Sequence, residues 1–265
     1  MKEQILSSLS DRFPWKQQIH FFDTLDSTNN LAKSMASSGA PHGTILIARE
    51  QTAGRGRLGR SFSSPDSQGL YLSVLLRHPY PADDLMHLTC AAAVAVCDAV
   101  ASAAGFRPQI KWTNDLVYND KKLGGILTEL SFHPSGTLDY AVLGIGMNCG
   151  KNIAAFPAEI RDFVGTVNQF APTPIPVSAL AKEVILALHA MDQTLLTDKK
   201  TILSRYRANC LTLGKDISIV RGDDVRYAVA EDIDDNGALI VSFPDGNRET
   251  VNAGEVSIRG MYGYV

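Results

Sequence analysis

The chain reads Thr-Ile-Leu-Ile-Ala at 44–48, Gly-Arg-Gly-Arg-Leu-Gly-Arg at 54–60 and Leu-Tyr-Leu-Ser-Val-Leu-Leu at 70–76. The two apolar runs predict buried strands, and the glycine- and arginine-rich segment predicts a loop between them. The loop matches G-x-G-x-x-G and comes close to the P-loop pattern, but both motifs require a helix directly after the loop. Residues typical of turns follow instead, at 61–69. The strand–loop–strand order therefore argues against a Rossmann or P-loop fold.

The loop carries Arg55, Arg57 and Arg60, although the formal net charge of the whole chain is only −3. Three like charges repel one another, and three glycines lose backbone entropy when the loop becomes ordered. A polyanion would offset both costs, because arginine suits phosphate and carboxylate and glycine permits close backbone approach. We therefore predict an anion-binding loop that orders on its ligand. A solvated basic loop is the alternative.

The composition is that of an ordinary globular protein, with 265 residues, 20% charged and 45% hydrophobic. The slight excess of acidic over basic residues argues against broad nucleic-acid binding. The cysteines at 90, 97, 149 and 210 lack metal-ligand or disulfide-framework spacing, and we expect free buried thiols, no resident metal site and a reducing cytoplasm. No signal peptide is expected. The Ala-rich stretch 85–105 contains polar residues and predicts a buried helix rather than a membrane span.

The remaining pattern predicts an α+β fold with a mixed or antiparallel sheet and helices packed on one face. A capped amphipathic helix is expected after Ser27, and the Ala-rich helix is expected to stop at Gly105. Apolar residues at helical spacing predict a third helix at 178–196. Further strands are predicted at 109–112, 126–130 and 141–145, with turns at 118–120 and 134–136.

The character of the sequence changes near residue 213. Short alternating runs at 217–220, 227–229, 239–243 and 256–258 are separated by turn residues at 234–237 and 244–247. This pattern predicts a small all-β barrel. The expected division is therefore a larger domain at 1–212 and a second domain at 213–265.

Three further polar clusters occur at predicted strand ends, namely Lys-Trp-Thr-Asn-Asp at 111–115, Lys-Lys-Leu-Gly-Gly-Ile at 121–126 and Gly-Ile-Gly-Met-Asn at 144–148. Each cluster alone fits a strand end with turn residues. Together with the arginine loop they mark one end of the predicted sheet, where binding sites are commonly built.

These segments, with Ser-Thr-Asn at 27–29 and Gln51, occur in the order found in the biotin protein ligases, which the whole chain resembles. The resemblance is to the short form, without an N-terminal DNA-binding domain. It implies a catalytic domain like that of class II synthetases and, on residues 253–260, a C-terminal SH3-like barrel. Thr113 stands where the family often has proline, and Leu58 where a basic residue is frequent. Neither side chain is needed for the chemistry that the resemblance implies.

The resemblance implies two reactions in the cytoplasm. Biotin attacks the α-phosphate of ATP, with Mg²⁺, to give biotinyl-5′-AMP and pyrophosphate, and a lysine of a biotin carboxyl carrier protein then takes the biotin. Because the first step brings an anion to a polyanion, fixed positive groups would contribute most. The catalytic candidates are Lys122, Arg57 and Lys111. No DNA or membrane partner is expected, and a homodimer is one alternative for the oligomeric state.

The resemblance also assigns binding residues. Those expected to bind biotin are Ser27, Thr28, Asn29, Gln51, Arg55, Gly56, Arg57, Lys122, Gly125, Gly144 and Gly146. Those expected to face the nucleotide are Arg55, Arg57, Arg60, Phe62, Lys111, Asn114 and Asn148. Asp115 is a candidate for orienting Lys111. Phe62 or Trp112 is a candidate for stacking on adenine, with core packing as the alternative for Trp112.

Three other functions remain as alternatives. A lipoate or octanoate ligase also adenylates a carboxylate, but its apolar substrate needs fewer polar partners than Ser27, Thr28, Asn29 and Gln51 supply. A DNA-binding regulator that senses biotin is disfavoured by the acidic composition. A biotin-binding protein without ligase activity is disfavoured by the presence of Lys111, Lys122 and the complete arginine loop.

Overall fold

The computed structural model describes residues 1–62, 69–78, 81–252 and 257–260. A seven-stranded sheet in the order β1-β2-β3-β7-β6-β5-β4 forms its centre. The β1–β2 pair is parallel and the other neighbours are antiparallel. The strands are β1 (Ile19–Leu25), β2 (Thr44–Gln51), β3 (Gly69–Leu76), β4 (Gln109–Lys111), β5 (Asp115–Tyr118), β6 (Lys121–Phe132) and β7 (Leu138–Asn148).

The described helices are α1 (Lys2–Ser8), α2 (Thr28–Ser37), α3 (Leu88–Ala104), α4 (Val167–Phe170), α5 (Val177–Thr194) and α6 (Lys199–Asn209). The predicted helices after Ser27, at 85–105 and at 178–196 correspond to α2, α3 and α5. Gly105 ends α3 with a left-handed φ of 73°, as its position predicts. No described helix combines the length and the apolar character needed to cross a bilayer.

Successive residues of the central strands face two different layers. Ile45, Leu72 and Leu143 belong to the main core with α3 and α5, whereas Leu46 and Leu75 pack with Ala32 and Ala36 of α2. The predicted mixed sheet with a helical layer is therefore confirmed, and the structure adds α2 on the opposite face. Residues 44–48 of β2 and all of β3 are buried and mainly apolar because both faces of the sheet are covered there.

A second, antiparallel sheet follows, in the order β11-β10-β9-β8-β12. Its strands are β8 (Asp216–Arg221), β9 (Asp224–Ile233), β10 (Leu239–Ser242), β11 (Arg248–Val251) and β12 (Ser257–Gly260). Residues 63–68, predicted as a turn, and residues 253–256, part of the segment that carries the C-terminal resemblance, lie outside the described residues. The core of this sheet is continuous with that of the larger one. The indole N–H of Trp112 donates to the carbonyl of Gly237 across the boundary, at 3.0 Å.

Candidate active site

A cavity of about 520 Å³ opens where β2 ends and β3 begins, on the face of the sheet that carries α2. The polar clusters predicted at strand ends meet here. The lining includes all but one of the predicted site residues: Ser27, Thr28, Asn29, Gln51, Arg55, Gly56, Arg57, Arg60, Phe62, Lys111, Asn114, Lys122, Gly125, Gly144 and Gly146. Asp115, Trp112 and Phe163 also line it.

Buried hydroxyl and amide groups form one wall of the cavity. The side-chain carbonyl of Gln51 accepts from the backbone N–H of Thr28 at 2.8 Å and from its hydroxyl at 3.1 Å. Ser27 stands at the N-cap position of α2 without a capping side-chain bond, so Gln51 acts there instead. The Ser73 hydroxyl lies 2.7 Å from Oγ1 of Thr28 and 2.6 Å from Oδ1 of Asn29. These bonds hold the polar groups of the wall in fixed directions.

Two glycines of β7 leave room for this wall. A Cβ on Gly144 would lie 2.2 Å from Oδ1 of Asn29, and a Cβ on Gly146 would lie 2.8 Å from the Phe62 ring. Contacts this short do not occur, so any larger residue would displace the side chain opposite. Gly144 thus allows Asn29 to reach the sheet surface, and Gly146 allows Phe62 to lie against β7.

Glu129 of β6 connects the wall to its surroundings. Its carboxylate accepts from Nδ2 of Asn29 at 2.9 Å and from Nζ of Lys33 at 2.7 Å, and it lies 3.3 Å from Nη1 of Arg55. Burial alone would raise the pKa of Glu129, but the bonds from Lys33 and Asn29 and the nearby positive charges hold that pKa below its ordinary value. Glu129 is therefore ionised at neutral pH.

The arginine loop forms a compact turn over the cavity. Gly56 donates to the Arg60 carbonyl at 2.7 Å and Phe62 to the Gly54 carbonyl at 2.9 Å. At the apex, Leu58 adopts a left-handed φ of 55° with its side chain exposed. Arg55 donates to Asn30 at 2.8 Å. These bonds hold the loop in one arrangement, and its ordering on the ligand stays a prediction.

Arg57 points inward from the loop. Its Nη1 donates to the side-chain carbonyl of Asn114 at 3.0 Å, while the amide of Asn114 donates to the Ile126 carbonyl at 2.8 Å. Burial lowers the pKa of Arg57, and the charge of Asp115 opposes that shift. The guanidinium nevertheless stays protonated, because arginine is not deprotonated in proteins. Asn114 therefore sets the direction of a permanent positive charge.

Lys122 lies near the start of β6, across the cavity from the polar wall. Its Nζ is 2.5 Å from Oδ1 of Asp115, the first residue of β5. Its backbone N–H donates to the Phe163 carbonyl at 2.7 Å, and its carbonyl accepts from Gly165 at 2.9 Å. The segment 163–165 thus fixes the backbone of Lys122. Asp115 thus pairs with Lys122, and the orientation of Lys111 by Asp115 stays a prediction.

Asn148 is the one predicted site residue that is not among the described residues lining the cavity, and its contact with the nucleotide stays a prediction. This side chain is buried, and its amide donates to the carbonyls of Lys122 at 3.4 Å and Gly165 at 3.2 Å. Segment 163–165 covers it, so it joins backbone segments instead of lining the cavity. Trp112 is also buried, with its indole N–H bound to Gly237, which fits core packing even though the ring borders the cavity.

Ser73 and Glu129 are site residues that the sequence analysis missed. Ser73 is a small polar residue within the buried strand β3, and Glu129 is the single carboxylate of β6. A polar residue inside a buried strand is a signal in itself, because it must find a partner. Phe163 was missed as well, and no pattern around it indicates its position at the cavity.

Away from the cavity, His42, His78 and Asp192 form the one described cluster of potential metal ligands. Asp192 lies 3.0 Å from Nε2 of His42 and 2.8 Å from Nε2 of His78. The backbone N–H of Arg77 donates to Nδ1 of His42 at 3.0 Å, which leaves the proton of neutral His42 on Nε2. That proton faces Asp192, so the geometry fits a hydrogen-bonded cluster. The bond to Asp192 raises the pKa of His42, although burial opposes it.

All four cysteines are buried and free, as predicted. Burial raises the pKa of Cys97 and Cys149 to about 12. These thiols are therefore neutral core groups rather than nucleophiles.

The charge distribution of the cavity defines its chemistry. Five cationic side chains line it (Arg55, Arg57, Arg60, Lys111 and Lys122), against the single carboxylate of Asp115 among the described lining residues. The opposite wall offers neutral donors and acceptors. Such a cavity suits a ligand with a neutral polar head and an anionic tail, held beside a polyanion.

Comparison with known proteins identifies the family of this chain. Residues 21–148 match the model of the biotin/lipoate A/B protein ligase family, and residues 212–259 match the biotin protein ligase C-terminal domain. The bifunctional ligase/repressor BirA of Bacillus subtilis is 32% identical over 238 residues, covering 89% of this chain and 73% of that protein. The biotin–[acetyl-CoA-carboxylase] ligase of Paracoccus denitrificans is 34% identical over 249 residues, covering 89% and 98%.

A solved structure agrees with these relatives. The biotin protein ligase of Aquifex aeolicus, in complex with biotin and ATP, superposes with a TM-score of 0.78 at 25% identity, covering 92% of this chain and 99% of that one. The chain therefore belongs to the biotin protein ligase family and is a ligase.

Proposed function

We propose that this protein activates biotin with ATP and transfers it to a lysine of a biotin carboxyl carrier domain. One observation carries the proposal: the cavity joins a neutral polar wall at Asn29 and Gln51 to a cationic side at Arg57 and Lys122. Biotin has a neutral ureido ring and a carboxylate tail, so its two ends match these two sides. The proposed division remains a catalytic domain at 1–212 and a C-terminal domain at 213–265.

The polar wall is the proposed site of the ureido ring. The ring loses its bonds to water on entering the cavity, and each lost bond must be replaced. Thr28, Asn29 and Gln51 supply hydroxyl and amide groups; the contacts with Ser73 orient Thr28 and Asn29, and the bonds from Thr28 orient Gln51. Preorganised partners lower the entropic cost of binding.

In the first step, a carboxylate oxygen of biotin attacks the α-phosphorus of ATP. A new P–O bond forms, the bond to the β-phosphate oxygen breaks, and pyrophosphate leaves with the electron pair. The charges of Lys122 and Arg57 offset the repulsion between the two anions, and they do so without reorganisation because Asp115 and Asn114 already hold them in position. Lys111 and Arg60 extend the positive surface toward the remaining phosphates.

Mg²⁺ is proposed to arrive with ATP. In proteins this ion is usually held by one or two carboxylates and by substrate phosphates. The described cavity lining offers only the carboxylate of Asp115, which is already paired with Lys122. The residues thus fit an ion carried mainly by the nucleotide, and its contribution when bound is to neutralise phosphate charge.

In the second step, the neutral amine of the carrier lysine attacks the acyl carbon of biotinyl-5′-AMP. The amide C–N bond forms, the attacking nitrogen releases a proton to solvent, the C–O bond to the phosphate breaks, and AMP leaves with the electron pair. Lys122 then balances the charge that develops on the leaving phosphate oxygen. The arginine loop shields the anhydride from water until the carrier docks, and the hydrogen bond between Arg57 and Asn114 supports this closure.

The partner is proposed to be a carrier domain of a biotin-dependent carboxylase, as the name of the Paracoccus denitrificans relative suggests for that protein. No DNA partner or membrane partner is proposed. The nearest rival is lipoate as the substrate. The polar wall of Thr28, Asn29, Gln51 and Ser73 favours biotin, since the ureido ring can pair with it and the dithiolane ring of lipoate has no comparable donors or acceptors.

Pyrophosphate release tests the proposal. The protein is incubated with ATP and Mg²⁺, together with biotin, lipoate or no acid, and thermal shifts are recorded with each acid. We expect pyrophosphate release and thermal stabilisation of the protein with biotin, but not with lipoate or without an acid. Equal release with lipoate would favour the rival, and no release with either acid would contradict adenylation.

A further inference from the structure

Glu129 contacts both the polar wall of the cavity and the arginine loop that covers it. One carboxylate oxygen accepts from Nδ2 of Asn29 at 2.9 Å, and the other lies 3.3 Å from Nη1 of Arg55. Asn29 belongs to the buried polar wall, while Arg55 belongs to the loop that closes the cavity. A single side chain of β6 therefore connects the wall of the cavity to its covering loop.

The orientation of Asn29 depends on this carboxylate. Oδ1 of Asn29 faces the Ser73 hydroxyl at 2.6 Å, while Nδ2 faces Glu129 and the Leu127 carbonyl, the latter at 3.3 Å. An acceptor on one side and a donor on the other exclude the flipped amide. Glu129, together with the Leu127 carbonyl and the Ser73 hydroxyl, thus fixes which atoms of Asn29 the ligand meets.

The position of Arg55 depends on Glu129 as well. Nη1 of Arg55 lies between the Asn30 side chain at 2.8 Å and the Glu129 carboxylate at 3.3 Å. Both partners lie outside the loop, so they hold its first arginine against α2 and β6. A loop with three like charges gains from such an anchor, because the carboxylate offsets part of the repulsion.

We propose that Glu129 is a positioning residue which, by holding Asn29 and Arg55 together, couples the occupancy of the biotin wall to the closure of the arginine loop. This inference rests on the proposed function. Glu129 itself does not line the cavity. It acts through its two partners, and it differs in this from Lys122 and Arg57, which face the reacting groups.

Glu129→Gln is the informative substitution because an amide cannot replace both contacts. If its oxygen faces Asn29, its NH₂ group faces the cations of Arg55 and Lys33. If its oxygen faces the cations, its NH₂ group meets the donor of Asn29. One connection is lost in either arrangement.

The experiment measures KM for biotin and kcat for biotin-dependent pyrophosphate release with saturating carrier domain, and, without the carrier, the half-life of the enzyme-bound adenylate. Losing one charge-assisted hydrogen bond predicts a roughly tenfold rise in KM and a roughly tenfold shorter half-life, with kcat changed much less. Glu129→Asp keeps the charge on a shorter stem. We expect an intermediate effect, which provides a second measurement if Glu129→Gln folds poorly.

Lys33→Met is the matched control. Lys33 contacts the same carboxylate at 2.7 Å but does not line the cavity, so it tests whether Glu129 merely joins α2 to β6. Because the Lys33–Glu129 ion pair is partly exposed, Lys33→Met should change KM and the adenylate half-life by less than about threefold. An equal effect of Lys33→Met, or unchanged KM and half-life in Glu129→Gln, would overturn the proposal.

A double-mutant cycle with Arg55→Met completes the test. If Glu129 holds Arg55, the effects of the two substitutions on adenylate half-life should not multiply. Fully multiplicative effects would also overturn the proposal. Absence of adenylate in the wild-type enzyme would instead contradict the proposed function, so the two failures are distinguishable.

Discussion

Gly144→Ala tests whether the polar wall binds biotin. The added methyl carbon would lie 2.2 Å from Oδ1 of Asn29, far inside van der Waals contact, so Asn29 must move. Moving it breaks the 2.6 Å contact with Ser73 and the 2.9 Å bond to Glu129. One neutral bond and one bond to a charged group are together worth about 2–4 kcal/mol.

Biotin would have to bind a wall that has lost this arrangement, or restore it at that cost. At about 1.4 kcal/mol for each factor of ten, its affinity should fall by roughly 30- to 1,000-fold. Isothermal titration calorimetry measures the change, and circular dichroism confirms that the variant is folded. The fold should survive because the site lies at the open end of the sheet.

The double variant Asn29→Ala/Gly144→Ala is the control. Without the Asn29 side chain the new methyl group has room, so Gly144→Ala should cost little beyond Asn29→Ala. Biotin binding within about twofold of wild type in the single variant, below the cost of one neutral hydrogen bond, would refute this reasoning. A full additional loss in the double variant would refute it as well.

Four other predictions follow from the same geometry. Lys122→Ala should slow adenylate formation by about 10²–10³-fold, the typical cost of losing one preorganised donor, with less effect on biotin binding. A normal rate of pyrophosphate release in this variant would show that Lys122 has a structural role only. Arg57→Gly should still form adenylate but release it, so anti-biotin blots should show labelled bystander proteins that are absent with wild type. Amides of residues 54–60 should gain protection from hydrogen exchange when biotin and nucleotide bind, and equal protection in the free enzyme would count against a lid. Because the pKa of His42 is raised above 6.5, its contribution to stability is complete below pH 6.5 and is lost as the pH rises through the folded value; urea titrations should show that slope in wild type and not in Asp192→Asn.

The strands that were predicted correctly are those whose burial leaves a clear pattern. Residues 44–48 of β2 and residues 70–76 of β3 are covered on both faces and appear as mainly apolar runs. β1 is an edge strand with only Ile19 buried, and β11 reads Arg-Glu-Thr-Val with three exposed residues, so neither stood out. Helix α6 was missed because only three of its eleven residues are buried.

The site was predictable where its residues cluster along the chain and unpredictable where they meet across strands. The arginine loop and the segment at 111–115 were found as local motifs. Ser73 and Glu129 depend on pairing with Asn29, which is 44 and 100 positions away in the chain. The contacts of Asn148 have the same origin, since the segment that its amide binds joins β6 through a backbone pairing between Lys122 and Val164.

The central claim is tested most directly by intact-mass analysis of a carrier domain incubated with the protein, biotin, ATP and Mg²⁺. The account predicts that the carrier gains the mass of one biotinyl group, that the gain requires ATP, and that replacing the acceptor lysine of the carrier with arginine abolishes it. A carrier of unchanged mass, in a reaction where pyrophosphate is released and the adenylate is detected, would contradict the transfer step. A mass gain with lipoate equal to that with biotin would contradict the assigned substrate.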